Sequence, residues 1–164
     1  MLDIRQLRRY IVQPVLQALD VYSKAAENLL VGTAVQESRL EYLQQLGGGP
    51  ARGLYQMEPA THDDIWANYL VYQSGLRGRI ETFVLPHHDR HDQLVWNLAY
   101  ATAMCRAHYR RATEGLPDED DVDGLARYWK RYYNTEQGAG SVAEFKDKYV
   151  RYVIPAGGTT GIGV

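Results

Sequence analysis

The stretch Ala34-Val35-Gln36-Glu37-Ser38-Arg39-Leu40 decides how the chain is read, because it sets a carboxylic acid on a helical stripe that should face a core. Upstream, Ser23 is placed to cap a helix, and Ala26, Leu30, Ala34 and Glu37 follow at helical steps. At about 3.6 residues per turn Glu37 stands directly above Ala34 on that stripe. Desolvation disfavours an ionised carboxyl, so its pKa should rise toward the value a general acid needs near neutral pH. The same position also suits a structural Glu paired with an Arg. The flanking residues bear on which reading holds.

Beyond Glu37 the apolar residues Leu40, Tyr42, Leu43 and Leu46 lead into Gly47-Gly48-Gly49-Pro50, where a helix cannot persist and a mobile turn or small hairpin should form. Gly53-Leu54-Tyr55-Gln56-Met57 alternates like a short extended segment. Pro59 closes it, and Thr61 with Asp64 predicts the start of a helix through Ile65, Trp66, Tyr69 and Leu70. On the other side, Ile4, Leu7, Ile11 and Val12 predict a helix over residues 3–12, with Pro14 in the first turn of a second short helix. Together they read as a packing arm.

Residues 73–92 carry little periodicity and end in His87-His88-Asp89-Arg90-His91-Asp92. Imidazole and carboxylate are good zinc ligands, but no recognised ligand spacing is present and Asp89 or Asp92 suits the N-cap of the next helix, so no metal is expected. From Asp92 to about Ala112, Leu94, Val95, Leu98, Ala101, Thr102 and Cys105 predict one long buried helix, stopped by Gly115 and Pro117. His108, on its inner edge, reads as a core or rim histidine rather than a catalyst. Asp118-Glu119-Asp120-Asp121 reads as a solvated cap on a helix carrying Val122, Leu125, Ala126 and Trp129, which ends in Tyr132-Tyr133-Asn134. Ser141 and Glu144 form a capping box for a last helix through Phe145, Tyr149 and Val153. Residues 155–164 hold too few apolar groups to fold alone and read as a tether or docking strand, leaving residues 1–154 as a single domain.

Three blocks in this order, Glu37-Ser38, the Gly53 to Thr61 run led by Arg52, and Tyr133-Asn134, resemble the Glu-Ser, Gly-Leu-Met-Gln-x-x-Pro-x-Thr and Tyr-Asn blocks of the soluble lytic transglycosylases. These form a branch of the lysozyme-like superfamily, and the similarity spans roughly residues 23 to 135. The resemblance implies a mainly α, lysozyme-like domain with at most a small β-hairpin beside a cleft. It further implies that Glu37 is the catalytic acid and base, and that Ser38, Gly53, Leu54, Tyr55, Gln56, Tyr133 and Asn134 bind the glycan. The family usually has Met where this chain has Tyr55, and its Tyr-Asn turn is shorter, so the tyrosine of the pair is either Tyr132 or Tyr133.

In that family one Glu protonates the oxygen between N-acetylmuramic acid and N-acetylglucosamine, then takes the proton of the muramoyl C6 hydroxyl, which closes on C1. A 1,6-anhydro sugar results, with no cofactor. One desolvated acid serves both steps. The Glu-x8-Asp-x5-Thr spacing of T-even phage lysozymes is absent, since Leu46 stands nine residues beyond Glu37. The competing expectation is a non-catalytic structural virion protein or glycan-binding module that keeps the fold.

Composition narrows the partners. The 164 residues suit one domain, and 18 basic against 20 acidic side chains leave a formal net charge of -2, so nucleic acid is not an expected partner. The single cysteine, Cys105, cannot form an intrachain disulfide and reads as a small buried hydrophobe. Charged residues interrupt every apolar run near the N-terminus, so neither a signal peptide nor membrane insertion is expected. For a wall-cleaving protein that pattern points to synthesis in a host cytoplasm, release by a pore or carriage in a phage particle among other structural proteins, and action on peptidoglycan glycan strands.

Overall fold

In the computed structural model, which describes residues 1–135 and 137–159, the chain is helical throughout apart from turns and two isolated antiparallel bridges. Its centre is α3 (Lys24–Ser38), capped by Ser23, whose hydroxyl accepts the Ala26 amide at 3.0 Å. An amphipathic helix with one inward stripe was expected. Instead every residue from Ala26 to Val35 is buried, Glu27, Asn28 and Thr33 included, because neighbours pack on all sides of α3.

The N-terminal arm belongs to this core. Helix α1 (Ile4–Leu7) passes through a wider π turn (Arg8–Val12) into α2 (Gln13–Ala18), with Pro14 in the first turn of α2 as expected. Leu7, Val12 and Leu16 are buried beside Leu29 and Leu30. Glu27 clamps the arm to α3: it accepts Arg8 at 2.5 Å, Lys24 at 2.9 Å, Tyr22 at 2.9 Å and Gln13 at 3.1 Å.

Helix α4 (Pro59–Asn68) starts at Pro59, not at Thr61: Glu58 is its N-cap, and a proline, having no amide hydrogen to leave unsatisfied, suits the first turn. A single turn at Leu70–Tyr72 leads to α5 (Ser74–Glu81). The long helix expected from Asp92 to Ala112 is two, α6 (Arg90–Trp96) and α7 (Leu98–Arg110). Asn97 breaks it. Its side chain accepts the Tyr100 amide at 3.1 Å and donates to the Phe83 carbonyl at 2.8 Å, replacing helical hydrogen bonds with a cap and a tie to the preceding loop. Asp89 caps α6, and Cys105 is buried on α7.

Helix α8 (Val122–Trp129), capped by Asp121, runs on through a π turn (Lys130–Asn134). Helix α9 (Val142–Lys148) has the expected reciprocal box, Glu144 N–H to Ser141 Oγ at 3.1 Å and Ser141 N–H to Glu144 Oε2 at 2.9 Å. It packs closely on α3 because Gly32 offers no side chain; a Cβ there would meet Phe145 at 2.6 Å. The start of the expected tether is anchored. Thr159 accepts from Asn28 at 2.8 Å and donates to the Glu119 carbonyl at 2.6 Å, while residues 160–164 lie outside the described residues. Among the described residues no helix is long and apolar enough to cross a membrane.

Candidate active site

Glu37 occupies the last turn of α3. Past it the chain leaves the helix sharply, through left-handed backbone at Arg39 (φ 54°) and Leu40 (φ 56°). Ser38 holds that exit: its hydroxyl donates to the Ala34 carbonyl at 3.0 Å and accepts the Leu40 amide at 3.2 Å. Ser38 is buried and does not line the cleft, so the glycan contact expected of it gives way to a backbone role.

The Glu37 side chain opens into a cleft of about 690 Å³. The 42–57 loop contributes Tyr42, Gln45, Leu46, Ala51, Gln56 and Met57 to its lining, the π turn after α8 and the segment beyond it contribute Tyr133, Asn134, Thr135 and Gly138 to Gly140, and α9 contributes Lys148. The loop carries two isolated antiparallel bridges, from Arg52 to Gln44 and to Met57, and no strand forms among the described residues, so of the mobile turn or small hairpin expected there it is the turn that is seen. The 53–57 run is not extended. It is a tight turn in which Gln56 N–H donates to Gly53 O at 3.0 Å, with left-handed backbone at Gly53 (φ 75°) and Gln56 (φ 47°).

That turn sorts the expected binding residues. Gln56 faces the cleft, with its amide nitrogen bent back onto the Gly53 carbonyl at 2.8 Å. Leu54 and Tyr55 point into the core instead, and Tyr55 OH pairs with Thr102 at 2.9 Å. Gly53 is buried where a side chain would collide with the Leu94 carbonyl, so its part is close packing of the loop on α6. Alternation suggested sidedness in this run but could not reveal a turn.

Of Tyr132 and Tyr133, it is Tyr133 that lines the cleft. Its hydroxyl donates to the Tyr55 carbonyl at 2.6 Å, and its ring stacks on His108 with centroids 4.5 Å apart. Tyr132 packs against Tyr128 and Arg131 and is not part of the cleft lining. Burial, with the Cys105 thiol and Glu37 nearby, pushes the Tyr133 phenol well above its ordinary pKa, so it stays protonated. Asn134 lines the cleft with its carbonyl oxygen occupied by Lys130 at 2.7 Å. Lys130 also donates to the carbonyls of Gly138 at 2.8 Å and Gly140 at 2.7 Å, which fastens the 138–140 segment beside the cleft.

The electrostatics centre on Glu37. Burial raises its pKa from 4.5 to about 7, against two opposing influences: the indole N–H of Trp129, which donates to Oε1 at 2.8 Å, and the positive charge of Lys148. The carboxyl is therefore divided between its acid and base forms near neutral pH. Trp129 is fully buried and stacked on Phe145 at 5.2 Å, and Gly140 leaves room for it, since a Cβ there would meet its ring at 2.6 Å. His108 lines the cleft, but burial and then Arg111 push it down to about 3, so it is neutral at physiological pH and carries no proton to give.

Sequence reasoning missed Trp129 behind the carboxyl, and Lys148 and Glu58 in the cleft lining. Trp129 reads as core from its spacing, and nothing in the sequence joins it to a carboxyl 92 positions earlier. Lys148 looks like an ordinary last-turn cation, and Glu58 fills a variable position of the second block; it is exposed and lines the cleft. Compared with protein-family models, curated proteins and solved structures, the chain matches none of them.

Proposed function

We propose that the protein is a lysozyme-like lytic transglycosylase that cleaves the β-1,4 bond between N-acetylmuramic acid and N-acetylglucosamine of peptidoglycan, with Glu37 as both acid and base. The observation that carries this reading is a sheltered carboxyl with a pKa of about 7 in a cleft that also collects Gln56, Tyr133 and Asn134. The protonated carboxyl gives its proton to the glycosidic oxygen as the bond to C1 breaks. The resulting carboxylate takes the proton of the C6 hydroxyl as its oxygen bonds to C1, and Glu37 returns to its starting form. A pKa near the working pH suits a group that must first donate and then accept. The indole N–H favours the ionised form that exists between the two steps.

Glu58 supports a second reading, plain hydrolysis, because it brings a second carboxyl into the cleft lining. It would then activate a water opposite Glu37. Digestion of purified murein followed by mass analysis separates the two, the anhydro product being lighter by one water. Glu37→Gln should abolish clearing under either reading. Glu58→Gln should leave clearing intact in a transglycosylase and abolish it in a hydrolase that uses Glu58. If native protein at high concentration releases no fragment of either kind but binds murein, the chain is a glycan-binding module and the cleavage proposal is wrong.

A further inference from the structure

Away from the cleft, α4 and the start of α6 bring together three ligand-type side chains: His62, Asp63 and His91. Asp63 Oδ1 lies 2.8 Å from His62 Nδ1 and 2.7 Å from His91 Nε2, and all three atoms fall within 4.8 Å of one another. His62 is buried, and His91 and Asp63 are progressively more open. We propose that these three side chains form a site for a divalent transition metal of zinc type, tying α4 to the first turn of α6.

The ligand set is the first reason. Two imidazole nitrogens and one carboxylate oxygen are the donors zinc takes in three-ligand sites, with water in the fourth place. A tetrahedral centre with bonds of about 2.0 Å holds its ligand atoms about 3.3 Å apart, so the two imidazoles must draw together from a spread of up to 4.8 Å, and Asp63 must retreat by roughly half an ångström from each. Its carboxylate is 63% exposed and free to do so.

The surroundings of His62 are the second. Its other nitrogen, Nε2, lies 2.7 Å from Tyr100 OH, which itself accepts the Trp66 indole N–H at 3.0 Å. A metal-bound histidine characteristically gives its remote N–H to such a partner, which fixes the tautomer and aims the free lone pair at the metal.

The histidine-rich run contributes only His91. Asp89 is occupied in capping α6, Asp92 pairs with Arg52 at 2.9 Å, and His88 packs on Trp96. The N-cap and first turn of α4 also carry Glu58 and Thr61 on the cleft wall, so a metal at His62 and Asp63 would brace that wall.

The test is calorimetric titration of the chelator-treated full-length protein with zinc chloride alone, repeated with cobalt(II) and read by its visible absorption. One equivalent should bind, with the intense bands of a four-coordinate cobalt site. His91→Ala and Asp63→Ala, both at accessible positions, should each weaken binding by more than about 100-fold, whereas His88→Ala should leave it unchanged. Chelator should lower the melting temperature of the metal-loaded wild type and not that of His91→Ala. Absence of binding below millimolar zinc overturns the proposal. So does binding that survives both accessible substitutions.

Discussion

Replacing Glu37 by Gln should make the protein more stable at pH 8 and leave it nearly unchanged at pH 4. In the folded state the carboxyl holds its proton up to about pH 7, whereas in the unfolded chain it releases it near 4.5. Between those values the folded state binds more protons than the unfolded one, so this group's contribution to stability falls as pH rises and the deficit is complete above about 7. The gap is worth about 3 kcal/mol at about 1.4 kcal/mol per pH unit. Glutamine keeps an oxygen to accept the Trp129 N–H, adds an amide NH2 that must find a partner in the cleft, and carries no charge to desolvate. A net gain of about 1–3 kcal/mol at pH 8 results, or roughly 2–10 °C in melting temperature. Calorimetric melts of both proteins at pH 4, 6 and 8 measure it, with all other titrating groups common to the pair. A difference that does not change with pH, or a wild type that is the more stable at pH 8, would refute the assignment of Glu37 as a carboxyl kept protonated by burial.

Trp129→Phe removes a hydrogen bond that favours the charged form, so the Glu37 pKa should climb by about one pH unit and the alkaline limb of murein clearing should move up with it. An NMR titration of the Glu37 side-chain carboxyl reads the shift directly, and an unmoved or lowered value contradicts the indole's role. Gly53→Ala meets both a positive φ and the Leu94 carbonyl, and a loss of about 2 kcal/mol or more in urea unfolding is expected. A loss under about 0.5 kcal/mol would show that the turn has other ways to close. Tyr133→Phe leaves the Tyr55 carbonyl without its donor, costing about 1–3 kcal/mol by the same measurement. No loss would mean that the hydroxyl is not what joins Tyr133 to the 42–57 loop.

What the sequence made legible is mostly local. Ser23, Asp121 and the Ser141–Glu144 box act where their spacing places them, because a cap is an interaction among residues within one turn. Glu37, Gln56, Tyr133 and Asn134 belong to the motif blocks, and the fold brings all four to one cleft. Ser38, Gly53, Leu54 and Tyr55 belong to the same blocks and serve the backbone or the core. A block records which residues travel together without recording which of them face outward. The Asn97 break was illegible for a different reason. The apolar pattern continues across it, and one of the partners that holds the Asn97 side chain out of the helix is the Phe83 carbonyl, 14 residues earlier. Long-range partners of this kind leave no periodic trace, and Trp129 with Glu37 and His62 with His91 are further cases.

Two glutamates on α3 separate structure from chemistry. Glu27 is fully buried, and burial pushes its pKa upward just as it does for Glu37. There, hydrogen bonds from Lys24, Arg8 and Gln13 more than offset that push, and the carboxyl ends below its ordinary value, ionised and fixed. Glu37 has the indole N–H of Trp129 and a more distant charge on Lys148, which offset only part of it. Burial alone therefore selects neither role, and the number of donors decides. Giving Glu37 a second strong donor would turn it into another Glu27, a stable carboxylate with no proton to spend at neutral pH. The open space in front of it, which the proposed function needs for a substrate oxygen, is also what keeps such a donor away.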